Sequence, residues 1–136
     1  MDASVMKLDL ESGERAAVEA VEARLSQRAR FPVRLDRLLS NWSTFAANVE
    51  AGYASSIDEY ISDLATREVL DEALVSLPAG VKTKIGAVLS PLDRRFEQAT
   101  RADDAHRLEK FVRLKSAWWW RRIPVKLTGP LAAALL

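Results

Sequence analysis

The sequence predicts an all-α, single-domain bundle of five or six helices, and three observations carry that prediction. In the stretch Val33 to Tyr53, the residues Leu35, Leu38, Leu39, Trp42, Phe45, Ala46, Val49 and Tyr53 recur at the i, i+3, i+4, i+7 spacing of one helix face. A second stripe, Val81, Ile85, Val88, Leu89, Leu92, Phe96 and Ala99, keeps the same period. No segment alternates apolar and polar residues over the length of a strand, and there is no internal repeat or low-complexity run. A chain of 136 residues can bury one real core but not two. With 49% hydrophobic and 29% charged residues, it has the composition of a folded domain rather than a disordered one.

Residues 1–11 precede the first apolar stripe and are expected to form a flexible N-terminus, leaving 12–136 as the helical domain. The first helix is expected to start at Ser12 or Gly13 and run to about Arg28, with Val18, Val21 and Leu25 on a narrow face extended by Ala17. Phe31-Pro32 ends it, because the residue before a proline is driven out of the helical region. The second helix is the Val33–Tyr53 stretch, with Gly52 near its end as a capping glycine. The third opens with Ser56-Ile57-Asp58-Glu59, a serine followed three residues later by glutamate, which is a capping-box signature. Its early apolar residues (Ile57, Tyr60, Ile61, Leu64) and its later ones (Val69, Leu70, Ala73, Leu74, Leu77) lie about 150° apart around a straight helix. A break near Asp63–Thr66, with Thr66 capping a new helix, is therefore expected in preference to one helix buried on two sides.

Leu77-Pro78-Ala79-Gly80 reads as a stop and a turn. The stripe that follows keeps its phase through Pro91, which predicts a kinked helix rather than two helices. A polar connection from Arg101 to Ala105 leads to an expected helix from about His106 to Trp120, capped by Asp103 or Asp104, with a possible restart at Ser116 because Lys115 interrupts the apolar face. Ile123-Pro124 ends it, and Thr128-Gly129-Pro130 introduces a last apolar piece, Leu131 to Leu136.

The composition excludes several chemistries. Without cysteine there is no disulfide framework, no thiolate metal site and no cysteine nucleophile. A di-metal site in a helical bundle needs a Glu-x-x-His motif on two helices, and His106 is the only histidine, in the reversed order His106-Arg107-Leu108-Glu109. There is no Gly-x-Ser-x-Gly elbow, and the isolated glycines form no phosphate loop. No catalytic, metal-binding or cofactor-binding residue is therefore assigned. Met1 to Leu10 lacks the basic flank and apolar run of a signal peptide, and Leu131–Leu136 is far too short to span a bilayer. Arginine supplies 14 of the 20 bases and alanine is abundant, which suggests a GC-rich bacterial genome; a cytoplasmic location is the expectation.

The formal net charge of +1 conceals an asymmetry. Ser56 to Leu77 carries six acids and one base, whereas Pro78 to the end carries twelve bases and five acids. The simplest reading is that the two segments are neighbours in the fold.

The stretch Trp118-Trp119-Trp120-Arg121-Arg122 is the candidate functional element. At about 100° per residue, three successive indoles fan across roughly 200° of a helix surface, so they cannot all enter one core. Trp118 and Trp119 are expected to cover the aromatic cluster of Trp42, Phe45, Tyr53 and Tyr60, leaving Trp120 for a partner. Tryptophan and arginine dominate interface energetics, so Trp118, Trp119, Trp120, Arg121 and Arg122 are read as partner-binding residues. The expected function is non-enzymatic binding of another protein, or self-association, of the antitoxin, immunity, phage-defence or regulatory-adaptor kind. The alternative is a nucleic-acid-associated protein using Arg107, Lys110, Arg113, Lys115, Arg121, Arg122 and Lys126 on phosphates. An interfacial membrane anchor would use the same tryptophans, but the core aromatics need them as cover, and a membrane role is disfavoured.

Overall fold

Helix α1 (Ser12–Ala29) is started by its own carboxylates: Glu11 and Glu14 form a reciprocal capping box, with the Glu11 amide donating to Glu14 Oε1 at 3.0 Å. The computed structural model describes residues 8–112 and 115–136. Most of the segment expected to be flexible, residues 1–7, lies outside the described residues, while Leu8 and Leu10 pack partly against the core. Val18, Val21 and Leu25 are the buried face of α1, as their spacing predicts. The Leu35 amide, which has no acceptor within α2 (Leu35–Ala51), donates to Glu22 Oε2 at 2.7 Å, so α1 caps its successor. The α2 stripe buries Leu35, Leu39, Trp42, Phe45, Ala46 and Val49. Gly52 closes the helix at φ 103°, a conformation that a side chain would strain.

Helix α3 (Ile57–Val75) is capped by Ser56, whose Oγ accepts from the Glu59 amide at 3.2 Å. It then runs through Asp63–Thr66 without the expected break. The reason lies in one residue. The buried positions Tyr60, Leu64, Arg67, Leu70 and Ala73 form a single stripe whose midpoint is an arginine. Read as polar, Arg67 splits the stripe into two arcs; with its charge matched inside the fold, the stripe is continuous.

Helix α4 (Ala79–Ala99) continues through Pro91 as one helix and buries Val81, Ile85, Leu89, Leu92 and Phe96. α2, α3 and α4 pack around an aromatic cluster. The Trp42–Phe96 centroids are 5.0 Å apart and the Phe45–Phe96 centroids 5.4 Å, while Phe45 meets Tyr60 edge-on at 5.5 Å. Such tilted and edge contacts suit ring quadrupoles better than face-to-face stacking.

The expected helix from His106 to Trp120 does not form, although residues 113–114 within it lie outside the described residues. Asp103 is why. Its carboxylate accepts from the Arg107 amide at 2.9 Å and from the Leu108 amide at 2.8 Å, winding residues 103–112 into turns, with His106 at φ 53°. That left-handed residue cannot propagate an α-helix. The chain restarts after Ala117, not at a Ser116 cap, as a 3-10 turn, Trp118–Arg121. β1 (Thr100–Ala102) and β2 (Arg122–Pro124) form a small antiparallel ladder that the sequence reading did not foresee, with Arg101 opposite Ile123. Three-residue strands are too short to show alternation. Helix α5 (Gly129–Leu135), with Pro130 in its first turn, seats Leu131 and Leu135 in the core beside α3.

Candidate functional site

The 3-10 turn places its three indoles in three different environments, and α3 determines two of them. Trp119 is 3% exposed, and the Arg67 guanidinium lies 4.5 Å from its ring centroid. Arg67 in turn donates from Nε to Asp93 Oδ1 at 2.9 Å and from Nη2 to Asp93 Oδ2 at 3.0 Å. Asp93 Oδ1 also accepts from Trp42 Nε1 at 3.0 Å. One carboxylate of α4 thus joins α2, α3 and, through the stacked cation, the 3-10 turn. Trp120 is equally buried, and its Nε1 donates to Glu68 Oε1 of α3 at 2.7 Å.

The ring left over is Trp118, not Trp120 as the angular fan suggests. Trp118 is 37% exposed, braced at 6.1 Å by Phe96 and at 5.7 Å, edge-on, by Trp119. The correction follows from backbone geometry. A 3-10 helix turns about 120° per residue, so residues i and i+3 eclipse. Trp118 and Arg121 therefore share one side of the turn, and both are exposed.

Arg122 is turned the other way. Its Nε donates to Thr100 Oγ1 at 2.7 Å, and Nη2 donates to the carbonyls of Thr100 and Glu97 at 2.9 and 3.0 Å. A cation over the carbonyl end of α4 satisfies acceptors that the helix leaves open. The Arg122 carbonyl accepts from Tyr60 Oη at 2.7 Å, so this residue joins the ladder to α3 and α4. Burial pushes the Tyr60 phenol well above its ordinary range. Tyr53, also raised chiefly by burial, donates to Asp63 Oδ2 at 2.7 Å. The Asp63 carboxyl is itself raised, first by burial and further by nearby Glu59, against the lowering effect of the tyrosine bond.

The acidic segment and the basic C-terminal third are neighbours, as the Glu68–Trp120 and Tyr60–Arg122 bonds show. Yet among the described residues no ion pair joins a carboxylate of α3 to a base beyond residue 100. Glu72 pairs with Arg28 of α1, and Asp71 approaches Arg67 of its own helix at 3.8 Å. Arg101, Lys110, Lys115, Arg121 and Lys126 stand exposed. Beside the turn is an open cleft of about 490 Å³, lined by Asp103, His106, Glu109, Lys115, Trp120 and Arg121 among others. His106 Nδ1 lies 3.4 Å from Glu109 Oε2, and Lys115 Nζ stands 5.4 Å from the Trp120 ring centroid. Among the described residues no three side chains of the metal-ligating kinds gather, and no helix is long and apolar enough to cross a membrane.

Sequence reasoning did not find Arg67, Glu68 and Asp93, which position the turn. One signal was available. Arg67 is the only base among the acids from Ser56 to Leu77, and it falls in phase with Tyr60, Leu64 and Leu70. No family model matches the chain, and neither a curated protein nor a solved structure matches it.

Proposed function

We propose that this protein acts by binding another protein chain through the exposed side of the 3-10 turn, with Trp118 as the anchor and Arg121 as its polar companion. One observation carries the reading: of three adjacent indoles, two are buried in the fold and the third stands 37% exposed, packed against Trp119 and Phe96. A large ring packed on one side by neighbouring rings and open on the other offers the area and the limited freedom of an interface anchor. The expected partner-binding set of five residues thereby divides. In this reading Trp118 and Arg121 face the partner, while Trp119, Trp120 and Arg122 attach the turn to α3 and α4. The class remains a non-enzymatic binder such as an antitoxin, immunity protein or regulatory adaptor, and a bacterial cytoplasmic setting is part of the same proposal.

The test is a photo-crosslinking amino acid introduced at position 118 in cells that make the protein. A discrete adduct that disappears when Arg121 is also changed to Ala supports the reading. A position-118 probe that yields no adduct, while the protein is folded and abundant, overturns it.

The nucleic-acid reading keeps one specific support, the five exposed bases from Arg101 to Lys126 that have no carboxylate partner among the described residues. It expects oligonucleotide retention that falls steeply with salt. Asp104 and Glu109, exposed among those bases, weigh against a continuous phosphate track.

A further inference from the structure

Arg121 belongs to two neighbourhoods at once. It follows Trp118 by three residues, so on the 3-10 turn the two side chains stand on one side, about 6 Å apart along the axis. It also lines the open cleft of about 490 Å³, together with Asp103, His106, Glu109, Lys115 and Trp120. The exposed ring and the cleft are therefore adjacent, joined by a residue common to both. A cleft of that volume holds more than an ion.

Opposite charges enter the cleft from different segments. The turns wound by Asp103 supply the acids, and each acid already has a partner. Asp103 is 9% exposed, and its two oxygens accept from the Arg107 and Leu108 amides at 2.9 and 2.8 Å. Glu109 Oε2 lies 3.4 Å from His106 Nδ1. The bases come from the segment that leads into and forms the 3-10 turn. Lys115 Nζ stands 5.4 Å from the Trp120 ring centroid, and neither Lys115 nor Arg121 meets a carboxylate among the described residues. The charge left without a counterpart in the cleft is positive.

We propose that the cleft takes a carboxylate side chain of the partner protein, from an acidic segment whose neighbouring apolar residue covers Trp118. This rests on the reading of Trp118 as an anchor and specifies the chemistry of what it meets. The Arg121 guanidinium is a planar fork that fits both oxygens of a carboxylate, and Lys115 adds a second positive charge within the same cleft. The separation of Trp118 and Arg121 sets the spacing in the partner. About 6 Å is two residues of extended chain or four of helix, so the acid stands two to four residues from the apolar one. A nucleic acid is the poorer occupant. Its run of phosphates would also have to pass Asp104 and Glu109, both exposed, whereas one carboxylate need meet only Lys115 and Arg121.

The crosslinker at position 118 tests this, with mass spectrometry identifying the partner segment that carries the adduct. An Asp or Glu two to four residues from the crosslinked residue is expected. Lys115→Glu sets an acid against that carboxylate and is expected to lower the adduct yield by roughly tenfold or more. Lys110→Glu, at an exposed base that does not line the cleft, is expected to leave the yield unchanged. Changing the partner's acid to its amide is expected to lower the yield as well, and Lys115→Glu then lowers it no further. Far-UV circular dichroism confirms that each variant is folded. A yield indifferent to Lys115→Glu, or cut equally by Lys110→Glu, overturns the proposal, as does an adduct with nucleic acid. A crosslinked segment that has no acid, or whose only anion is a phosphoryl group, overturns it and leaves the reading of Trp118 intact. No adduct from folded, abundant protein removes both.

Discussion

In α2 and α4 the side chains that fix the structure are apolar and evenly spaced, whereas in the described part of residues 100–136 the buried apolar side chains, such as Leu108, Ile123 and Leu131, share no period and are accompanied by polar contacts to other elements. The helices bury Trp42, Phe45, Val49, Ile85 and Phe96 along stripes that any local window reveals. Besides those apolar contacts, the C-terminal third is tied to other elements by Trp120 to Glu68, Tyr60 to the Arg122 carbonyl and Arg122 to the end of α4, while Asp103 holds its own turn. The contrast separates two ways of specifying structure. Burial of apolar area is cooperative and shared among many residues, so the helices should unfold as a unit. A wrap made of individual hydrogen bonds can lose one attachment and keep the rest.

The sharpest way to break the contrast is to empty the core. Phe45 touches four other rings and is 2% exposed. Phe45→Ala is expected to cost about 3–5 kcal/mol and to lower both regions together. Urea unfolding followed separately by far-UV circular dichroism and by tryptophan fluorescence should give coincident, shifted transitions. If only one signal moves, the core does not support the wrap.

Asp93→Ala comes next, because it leaves the Arg67 guanidinium buried and unmatched while also orphaning Trp42 Nε1. The Arg67 side chain is 8% exposed and that of Asp93 21%, so the loss is expected near the low end for a broken buried pair, about 3 kcal/mol. Replacing both partners, Arg67→Met with Asp93→Leu, is expected to recover the part of that loss due to the unmatched charge, while Trp42 Nε1 stays without its acceptor. The recovered protein should still differ in tryptophan emission, because Trp119 loses the cation stacked on it. A double variant as unstable as Asp93→Ala would show that the pair contributes more than charge balance.

This pair also marks where the sequence stops being legible. α1, α2 and α4 are readable because their apolar periods are set by neighbours within one or two turns. α3 was misread at Arg67 because its partner, Asp93, lies 26 residues away and turns a polar position into a core one. The same applies to the candidate site. That a Trp-Arg cluster would divide between core and surface follows from angular spacing alone, but which ring stays outside depends on the 3-10 geometry and on Glu68, and neither has a local signature. The ladder of β1 with β2 is invisible for the same reason, as its strands have three residues each.

A smaller effect should be confined to the wrap. Asp103→Asn keeps one carbonyl oxygen and so can cap only one of the two amides, Arg107 or Leu108, that the carboxylate now satisfies. The expected cost is about 1–2 kcal/mol. Amide hydrogen exchange should read it as faster exchange at residues 107–112 with protection in α2 and α4 unchanged. Uniformly faster exchange would mean that the wrap and the helices form one cooperative unit after all.

The gentlest test reads the helical region by pH. Glu14 is held below its ordinary range by hydrogen bonding to Lys84, and Glu50 by hydrogen bonding to Arg95. A carboxylate held low stabilises the fold above its ordinary range, and that stability is lost as pH falls through the depressed value. Asp63 has the opposite sign. Its carboxyl, raised mainly by burial from an ordinary value of 3.8, binds a proton more readily when folded, so its contribution is fullest below 3.8 and is lost as pH rises through the elevated value. Wild-type stability alone cannot separate these, but a difference can. Asp63→Asn keeps an oxygen to accept from Tyr53 Oη and removes the ionisation. The variant is expected to melt above wild type at pH 7, with the gap closing as pH falls below the ordinary value of 3.8, where Asp63 is neutral in both states. A gap that widens on acidification would mean that the Tyr53 bond, not desolvation, governs this carboxyl.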